Sequence, residues 1–345
     1  MAGVKKIGPG KRVVFTSVGK AAIESYSQRP PASNEMLVKT KASLISPGTE
    51  SACLSGKANW VSYPHYPGYS NAGDVIMAVG NKEYAIGQRI YSGAPHQSYG
   101  LIQGSVADAG AGQTEGFVSV DSTALIPDGV TYEEAAFSAL GAVALYGIRR
   151  AAIVPGESVV VVGLGIVGQL AVQLARLSGA MPVIGIDPLR YRRDLAERLG
   201  ADETISSDSA WAEAVMQKVG GANVVLDATG LNQVLPQSIA AAGLRGRVVV
   251  LGSVYNSVEI QLFPGLDSKD VSLIGCHQPN NPYAGNIGYP WCQKRERKLF
   301  LDYVLTKRVK VAELITHRFK ADEAVQAYKT LEDRSINKMG IILNW

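Results

Sequence analysis

Glycines at positions 163, 165 and 168, followed by an aspartate at 187, form the pattern with the clearest chemistry in this 345-residue chain. Gly163 permits a tight turn, Gly165 lets the backbone approach a pyrophosphate with no Cβ in the way, and Gly168 lets a helix pack closely on a strand. The helix that starts there presents free N–H groups to phosphate charge. Asp187 is spaced to accept hydrogen bonds from ribose hydroxyls. The pattern predicts a dinucleotide-binding site; glycines that serve only helix–strand packing are the alternative.

The elements around this pattern are those that a dinucleotide site requires. An apolar run at 158–162 predicts a buried strand, and residues 167–177 predict a helix with one apolar face. Strands and helices then alternate as far as residue 275, which is typical of a doubly wound parallel sheet, here with six strands. The further predicted strands are 182–187, 204–205, 223–227, 247–252 and 271–275, and the further predicted helices are 190–199, 209–219 and 232–242.

The side chains after the second predicted strand bear on the choice of dinucleotide. A carboxylate at Asp187 repels the additional ribose phosphate of NADP, so the sequence favours NAD. Arg190, Arg192 and Arg193 follow, and they either neutralise such a phosphate or form a solvated helix face. The predicted cofactor-binding residues are Gly163, Gly165, Ile166, Val167, Gly168, Asp187, Arg192, Thr229, Gly252, Ser253 and His277.

The chain on either side of the alternating region has another pattern. Residues 12–145 contain short β-rich runs broken by Gly and Pro, which predicts a mostly antiparallel β domain. After residue 278 a helix and two strands are predicted, and this tail is a candidate part of the first domain. The β-rich runs are 12–16, 36–40, 73–79 and 117–120, and the tail elements are 298–307, 316–319 and 340–343.

Composition excludes several classes of protein. Hydrophobic residues make up 46% and charged residues 19%, with 37 glycines, which excludes a disordered chain, a collagen and a coiled coil. The net charge of +4 is spread over 34 basic and 30 acidic residues, unlike that of a dedicated nucleic-acid binder. Three separated cysteines build no disulfide framework. With no apolar N-terminal run and no stretch long enough to cross a bilayer, we expect a cytoplasmic protein without a membrane partner.

Several motifs resemble those of the medium-chain dehydrogenases/reductases, the zinc alcohol dehydrogenase superfamily. They are Ala-Ser-Leu-Ile-Ser-Pro-Gly-Thr-Glu at 42–50, Pro-Gly-Tyr-Ser-Asn-Ala-Gly at 67–73, Gly-Gln-Arg-Ile at 87–90, Ala135-Ala136, Tyr146-Gly147 and Ile-Thr-His-Arg-Phe at 315–319. The first two are most similar to a zinc-lacking branch with bacteriochlorophyllide dehydrogenase-like proteins. The resemblance implies an α/β protein with a GroES-like β domain (1–147 and 278–345) and an inserted Rossmann domain (148–277).

Departures from the superfamily motifs imply that its zinc sites are missing. The positions of the three catalytic ligands fall on Ser46, on Tyr69 and near Leu-Gly-Ala at 140–142. Hydroxyl and phenol groups are poor zinc ligands beside thiolate and imidazole. No cysteine lies between Cys53 and Cys276 in the sequence, so the four-cysteine structural zinc lobe has no ligands either. We therefore predict no metal.

Without zinc, hydrogen-bond donors must stabilise the substrate oxygen, and a side chain must carry the alcohol proton. We predict Tyr69 as the donor, Ser46 and Thr49 as relay residues or cofactor-ribose contacts, and Glu50 as an orienting carboxylate. In the alternative interpretation, Tyr69 and Ser46 only fill the former metal site and Glu50 caps a helix or turn. His96, in a Gly-, Ala- and Ser-rich segment at 92–116, is a further catalytic candidate, with a surface position as its alternative.

The predicted function is a zinc-independent, NAD(P)-dependent oxidoreductase. It would transfer hydride between nicotinamide and a secondary alcohol or ketone, such as a polyol, cyclitol or sugar. A zinc-less quinone or enoyl reductase and a non-catalytic nucleotide-binding protein are the alternatives. Strand 271–275 is expected at the edge of its sheet, where pairing with a symmetry mate would give a homodimer or a dimer-based tetramer.

Overall fold

The computed structural model describes residues 7–104, 118–208, 210–282 and 284–345. The chain divides into two compact units. The first comprises Met1–Ala139, Pro282–Leu305 and Val311–Trp345, and the second comprises Leu140–Asn281 and Thr306–Lys310. Compared with the predicted boundaries at 147/148 and 277/278, the second unit also takes in 140–147, 278–281 and 306–310. The first difference arises inside a continuous helix, Ser138–Ala151, whose residues belong to both units.

The secondary structure follows the order that the sequence predicts, with additional strands in the first unit. The strands are β1 (Gly10–Ser17), β2 (Lys20–Tyr26), β3 (Glu35–Ile45), β4 (Asn71–Val79), β5 (Arg89–Ser92), β6 (Tyr99–Gln103), β7 (Val118–Ser119), β8 (Ala124–Leu125), β9 (Val159–Val162), β10 (Val183–Ile186), β11 (Glu203–Ile205), β12 (Ala222–Asp227), β13 (Ala242–Val250), β14 (Ser272–Gly275), β15 (Ile315–Lys320) and β16 (Gly340–Asn344). The helices are α1 (Pro47–Leu54), α2 (Tyr132–Ala135), α3 (Ser138–Ala151), α4 (Ile166–Leu177), α5 (Arg190–Leu199), α6 (Trp211–Val219), α7 (Leu235–Ala241), α8 (Gln293–Leu305) and α9 (Ala324–Glu332).

The first unit is built on β3, an 11-residue strand of which the sequence predicted only 36–40. It pairs antiparallel with β4, β6 and β16 in an eight-stranded sheet. Because β16 lies beside β3, with Ile341 opposite Ile45, the C-terminal strands belong to the β domain. β1 and β2 form a separate hairpin. Of the predicted run at 117–120, residue 117 lies outside the described residues, and Val118–Ser119 is a strand.

The core below α1 brings α9 into contact with the β strands. The buried residues of α9 recur with helical spacing, at Ala324, Ala327, Tyr328 and Leu331. The Tyr328 ring meets the Phe15 ring edge-on, with the ring centroids 5.0 Å apart. This packing buries the Tyr328 hydroxyl beside the first helix of the unit.

The second unit contains the predicted doubly wound sheet. Its six parallel strands follow the order β11-β10-β9-β12-β13-β14, with β9 at the centre. All four β9 residues are buried valines, as expected for a strand covered on both faces by helices. α5 has the predicted bounds, whereas β13 begins at Ala242, directly after α7 and before the predicted residue 247. β14 is an edge strand, as predicted, and the dimer inferred from that edge stays a prediction.

Candidate active site

The three motif glycines, together with Leu164, Ile166 and Val167, form a glycine turn (residues 163–168) that follows β9 and includes the first three residues of α4. Gly163 has a φ of +85°, and a Cβ there would lie 2.8 Å from Thr229. A Cβ on Gly168 would overlap the carbonyl oxygen of Gly163. A Cβ on Gly165 would meet nothing within 4 Å, and this residue is the N-cap of α4 without a capping side chain. Gly165 therefore faces open space at a helix N-terminus, which fits an approaching phosphate.

Asp187 lies just after β10, with its carboxylate against the glycine turn. It is 2% exposed, and its Oδ2 accepts a hydrogen bond of 2.8 Å from the Leu164 N–H. Its Oδ1 accepts one of 2.9 Å from the Leu189 N–H. Arg192 Nη1 lies 3.6 Å from Oδ2 and balances part of the charge. The carboxylate is thus fixed at the carboxyl end of its strand.

The remaining cofactor candidates follow the ends of later strands in the same sheet. Thr229 follows β12, Gly252 and Ser253 follow β13, and His277 follows β14. Because the carboxyl ends of parallel strands meet at one edge, these residues share the edge that carries the glycine turn. Ile166 is buried and Val167 is half-buried, whereas Ser253 and His277 are exposed.

Sequence reasoning missed Asp227, a buried carboxylate at the end of β12. It is 2% exposed and accepts hydrogen bonds from the Thr229 backbone N–H (3.0 Å) and hydroxyl (2.6 Å) and from the Ser238 hydroxyl (3.1 Å). Burial raises the pKa of Asp227, while these hydrogen bonds lower it. The available signal was an aspartate at the end of a predicted strand with a threonine two residues later.

Ser46, Thr49 and Tyr69 form a hydroxyl cluster in the first unit. The Tyr69 hydroxyl donates to Ser46 Oγ at 2.5 Å and lies 3.3 Å from Thr49 Oγ1. Ser46 is the N-cap of α1, yet its side chain does not cap the helix and bonds to Tyr69 instead. The Tyr91 hydroxyl donates to the Tyr69 carbonyl at 2.7 Å and holds the chain there.

The Tyr69 phenol is protonated at neutral pH. Burial raises the pKa of Tyr69 to about 12, against smaller lowering effects of the bonds to Ser46 and Thr49. The nearby charge of Glu50 also raises this pKa. Tyr69 is therefore able to donate a hydrogen bond to a neighbouring substrate oxygen.

Glu50 lies directly beneath this cluster and is 1% exposed. Its Oε1 accepts a 2.7 Å hydrogen bond from the Ser46 N–H, and its Oε2 accepts one of 2.5 Å from the Tyr328 hydroxyl. His96 Nε2 lies 3.1 Å from Oε2. The carboxylate therefore joins the N-cap amide of α1 to two distant segments.

His96 is fully buried, so the alternative that placed it on the surface is wrong. Its Nδ1 lies 2.8 Å from Ser43 Oγ. Gly68, with a φ of +101°, passes so close to the ring that a Cβ there would lie 2.7 Å from His96 Cδ2. A larger residue would therefore displace the imidazole, which explains the glycine before Tyr69. Ser43 and Tyr328 were missed because nothing local to them in the sequence indicates a role.

The residues at the implied catalytic zinc position do not fit a metal. Ser46 and Tyr69 are bonded to each other, and a phenol whose pKa is raised to about 12 resists the deprotonation that metal ligation favours. Across the described ranges, no group of three or more His, Cys, Asp or Glu side chains is placed to hold a metal ion.

Comparison with known proteins decides the family. A family model described as zinc-binding dehydrogenase matches residues 167–287. The (R,R)-butanediol dehydrogenase of Bacillus subtilis (strain 168) is 30% identical over 275 residues, which are 74% of this chain and 76% of that protein. The chain belongs to the medium-chain dehydrogenase/reductase superfamily. The predicted enzyme class, an NAD(P)-dependent alcohol dehydrogenase/reductase, is confirmed at this level.

Other relatives and solved structures agree on the fold of this superfamily member. The D-guloside 3-dehydrogenase of Escherichia coli (strain K12) is 26% identical over 252 residues, 69% of this chain and 72% of that one. A putative zinc-binding dehydrogenase from Sinorhizobium meliloti 1021, bound to NADP, has a TM-score of 0.80 at 24% identity and covers 98% of this chain and 100% of its own. The NADH complex of rspB from Escherichia coli CFT073 has a TM-score of 0.80 at 17% identity, covering 98% and 99%.

Across the described part of the chain, no helix combines the length and the apolar character needed to cross a bilayer.

Proposed function

We propose that this protein is a zinc-independent, NAD-preferring dehydrogenase of a secondary alcohol, such as a polyol, cyclitol or sugar. The observation that carries the proposal is the hydroxyl cluster. Where the superfamily has zinc ligands, this chain has a protonated phenol bonded to Ser46 at 2.5 Å. A neutral donor of this kind stabilises charge that develops on a substrate oxygen.

Tyr69 is the residue proposed to touch the substrate oxygen. When its O–H turns to that oxygen, the hydroxyls of Ser46 and Thr49 are both within reach to donate to the phenol oxygen. Two such donors stabilise negative charge on the phenol oxygen, so Tyr69 is able to give its proton to a ketone oxygen. The reverse step, alcohol oxidation, starts from the phenolate, whose own proton has first left to solvent, and the phenolate then takes the alcohol proton. Ser46 and Thr49 therefore act on the proton affinity of Tyr69.

The second unit supplies the residues that would hold the dinucleotide. The glycine turn would receive the pyrophosphate, and Asp187 would accept from the ribose hydroxyls. When bound, the nicotinamide gives or accepts the hydride. The preference for NAD rests on the Asp187 carboxylate, which Arg192 at 3.6 Å balances only in part. The nearby solved structures include one with NADP and one with NADH, so the preference of this chain depends on its own residues.

Tyr69→Phe tests the proposal. Secondary alcohols, polyols, sugar alcohols and cyclitols are screened with chelator present, by following the absorbance of reduced nicotinamide. With the best substrate, Tyr69→Phe is expected to lower turnover by about 10²–10³-fold, because one donor to the substrate oxygen is lost while the ring remains. Affinity for the cofactor should stay unchanged.

Tyr84→Phe is the matched control for this experiment. Tyr84 is a buried tyrosine of the first unit, with its pKa also raised to about 12, but it bonds to Thr123 outside the hydroxyl cluster. Its variant should keep wild-type turnover. If Tyr69→Phe also keeps wild-type turnover, Tyr69 only packs. Loss of wild-type turnover in chelator, restored by zinc, would contradict zinc independence.

A further inference from the structure

We propose that His96 is a positioning residue, held as the neutral Nε2–H tautomer, which keeps the Glu50 carboxylate anionic and fixed beneath Ser46. The inference rests on the proposed function only for its effect on turnover. The protonation state itself follows from hydrogen bonds in the first unit.

The His96 imidazole is fixed and has no access to a substrate. It is 0% exposed, and its backbone is tied on both sides: its N–H donates to the Pro67 carbonyl and its carbonyl accepts from the Val13 N–H, each at 2.9 Å. Gly68 packs closely against one edge of the ring, since a Cβ there would lie 2.7 Å from His96 Cδ2. A group in this position acts through its neighbours.

Two of the neighbours of Glu50 are donors to its carboxylate. The Ser46 backbone N–H has no other role than donor. Burial and the charge of Glu50 keep the pKa of Tyr328 well above its ordinary value, so its hydroxyl is also a donor. An ionised carboxylate accepts at both oxygens. The third neighbour, His96 Nε2, lies 3.2 Å from Oε1 and 3.1 Å from Oε2, so a proton on Nε2 completes the set.

The other nitrogen of His96 is decided by Ser43 and Trp345. The indole N–H of Trp345 is donor-only and lies 2.9 Å from Ser43 Oγ, which accepts from it. The Ser43 hydroxyl proton then needs an acceptor, and among the described residues the one in place is His96 Nδ1, at 2.8 Å. A proton on Nδ1 would give Ser43 two donors and leave its own O–H unpaired in a fully buried position, which is costly.

The three hydrogen bonds that link Trp345 to Glu50 therefore all run in one direction. Trp345 donates to Ser43, Ser43 to His96 Nδ1, and His96 Nε2–H to Glu50. If the ring were an imidazolium, or if a protonated Glu50 donated to Nε2, Nδ1 would carry a hydrogen. Nδ1 would then be unable to accept from the Ser43 hydroxyl. The anion that results accepts from the Ser46 amide and leaves the Ser46 hydroxyl free to bond to Tyr69.

Nitrogen NMR of ring-labelled histidine tests the tautomer in the full-length protein. The chain has four histidines, and the signals missing from the His96→Gln spectrum assign His96. At neutral pH we expect a protonated Nε2 and an unprotonated Nδ1 that accepts a hydrogen bond. An imidazolium or an Nδ1–H tautomer in the wild-type protein would overturn the proposal.

Two variants test the donor chain. Ser43→Ala removes the donor to Nδ1, so the Nδ1 resonance should shift to that of an unprotonated nitrogen without a hydrogen bond, while the bond to Glu50 keeps the proton on Nε2. Trp345→Phe is the control, because it removes the donor to Ser43 and leaves the Ser43–His96 bond, so the Nδ1 resonance should stay as in the wild type. An unchanged Nδ1 resonance in Ser43→Ala would exclude Ser43 as the donor, and the wild-type spectrum decides the tautomer even if this variant fails to fold.

Turnover separates positioning from proton transfer. His96→Gln keeps an N–H that reaches toward Glu50 but removes the titratable ring, whereas His96→Ala removes both. If His96 positions Glu50, the alanine variant should lose about 10–100-fold in turnover and the glutamine variant should recover most of it. Equal loss in both variants would mean that the ring itself transfers protons. If no alcohol is oxidised by the wild-type enzyme, the proposed function fails while the NMR result still stands.

Discussion

The glycine turn of the second unit and the hydroxyl cluster of the first unit place their polar groups in different ways. The turn uses six consecutive residues and presents backbone N–H groups, and its nearest charged partner, Asp187, follows the next strand. The hydroxyl cluster uses side chains from α1 and from the approach to β4, and the carboxylate under it bonds to residues 96 and 328. The glycine turn therefore depends on space for the backbone, whereas the hydroxyl cluster depends on tertiary packing.

The largest effect on stability is expected for Gly168→Ala, which tests whether the glycine turn depends on space alone. In Gly168→Ala, the new Cβ overlaps the Gly163 carbonyl oxygen, so strand and helix must separate. Overpacking against backbone typically costs about 1–3 kcal/mol and occasionally more, and we expect the upper end of that range in the free energy of unfolding. Chemical denaturation measures it.

Gly165→Ala is the matched control, because its Cβ meets nothing within 4 Å. Its free energy of unfolding should fall by only about 0.5–1 kcal/mol, because alanine is a poorer N-cap than glycine. Affinity for the dinucleotide should nevertheless fall, since the open space in front of the turn is filled. Equal destabilisation by both variants would show that the glycines serve packing only.

The same contrast explains what the sequence could predict. The presence of six parallel strands, the edge position of β14 and the bounds of α5 follow from periodicity and from glycine spacing, which are local signals. The residues around Glu50 do not, because Tyr328 meets it only through the packing of α9, 278 residues away along the chain. His96 was a candidate by its segment alone, and its burial depends on Gly68 and Ser43 folding around it.

A smaller effect is expected at Asp187, whose carboxylate accepts a hydrogen bond from Leu164 in the glycine turn. Asp187→Ala removes a ribose acceptor and a charge that repels the NADP phosphate, so NAD should bind more weakly and the preference should move toward NADP. Loss of a charge-assisted hydrogen bond corresponds to about 1.5–3 kcal/mol in the binding of NAD. Titration calorimetry with both dinucleotides measures the change.

Asp187→Asn refines this result, since it keeps the shape and one acceptor for the Leu164 and Leu189 amides. If charge sets the preference, the asparagine variant should also move toward NADP while losing less affinity for NAD than the alanine variant. Unchanged affinities for both dinucleotides would show that Asp187 only holds the turn together.

Each unit contains a buried carboxylate, and these differ in the same way as the sites. Glu50 is held by donors from distant segments, whereas Asp227 is bonded by Thr229 and Ser238, close by in sequence. Burial is the largest influence on Asp227 and raises its pKa, so the folded protein binds this proton more tightly than the unfolded chain does. The contribution of this group to stability is then complete below the unfolded pKa of about 3.9 and is lost as pH rises through the folded pKa.

The smallest effect is expected for Asp227→Asn, as a change with pH in the difference between the unfolding free energies of wild type and variant. Asp227→Asn cannot titrate, so the difference in unfolding free energy, wild type minus variant, should fall as pH rises from about 4 through the raised pKa, and then level off. The hydrogen bonds lost or altered by the amide add a constant to this difference in unfolding free energy and do not change its slope with pH. Urea denaturation at successive pH values measures the difference. A difference that rises with pH would mean that the three donors around Asp227 outweigh its burial and that this local carboxylate, too, is held as an anion.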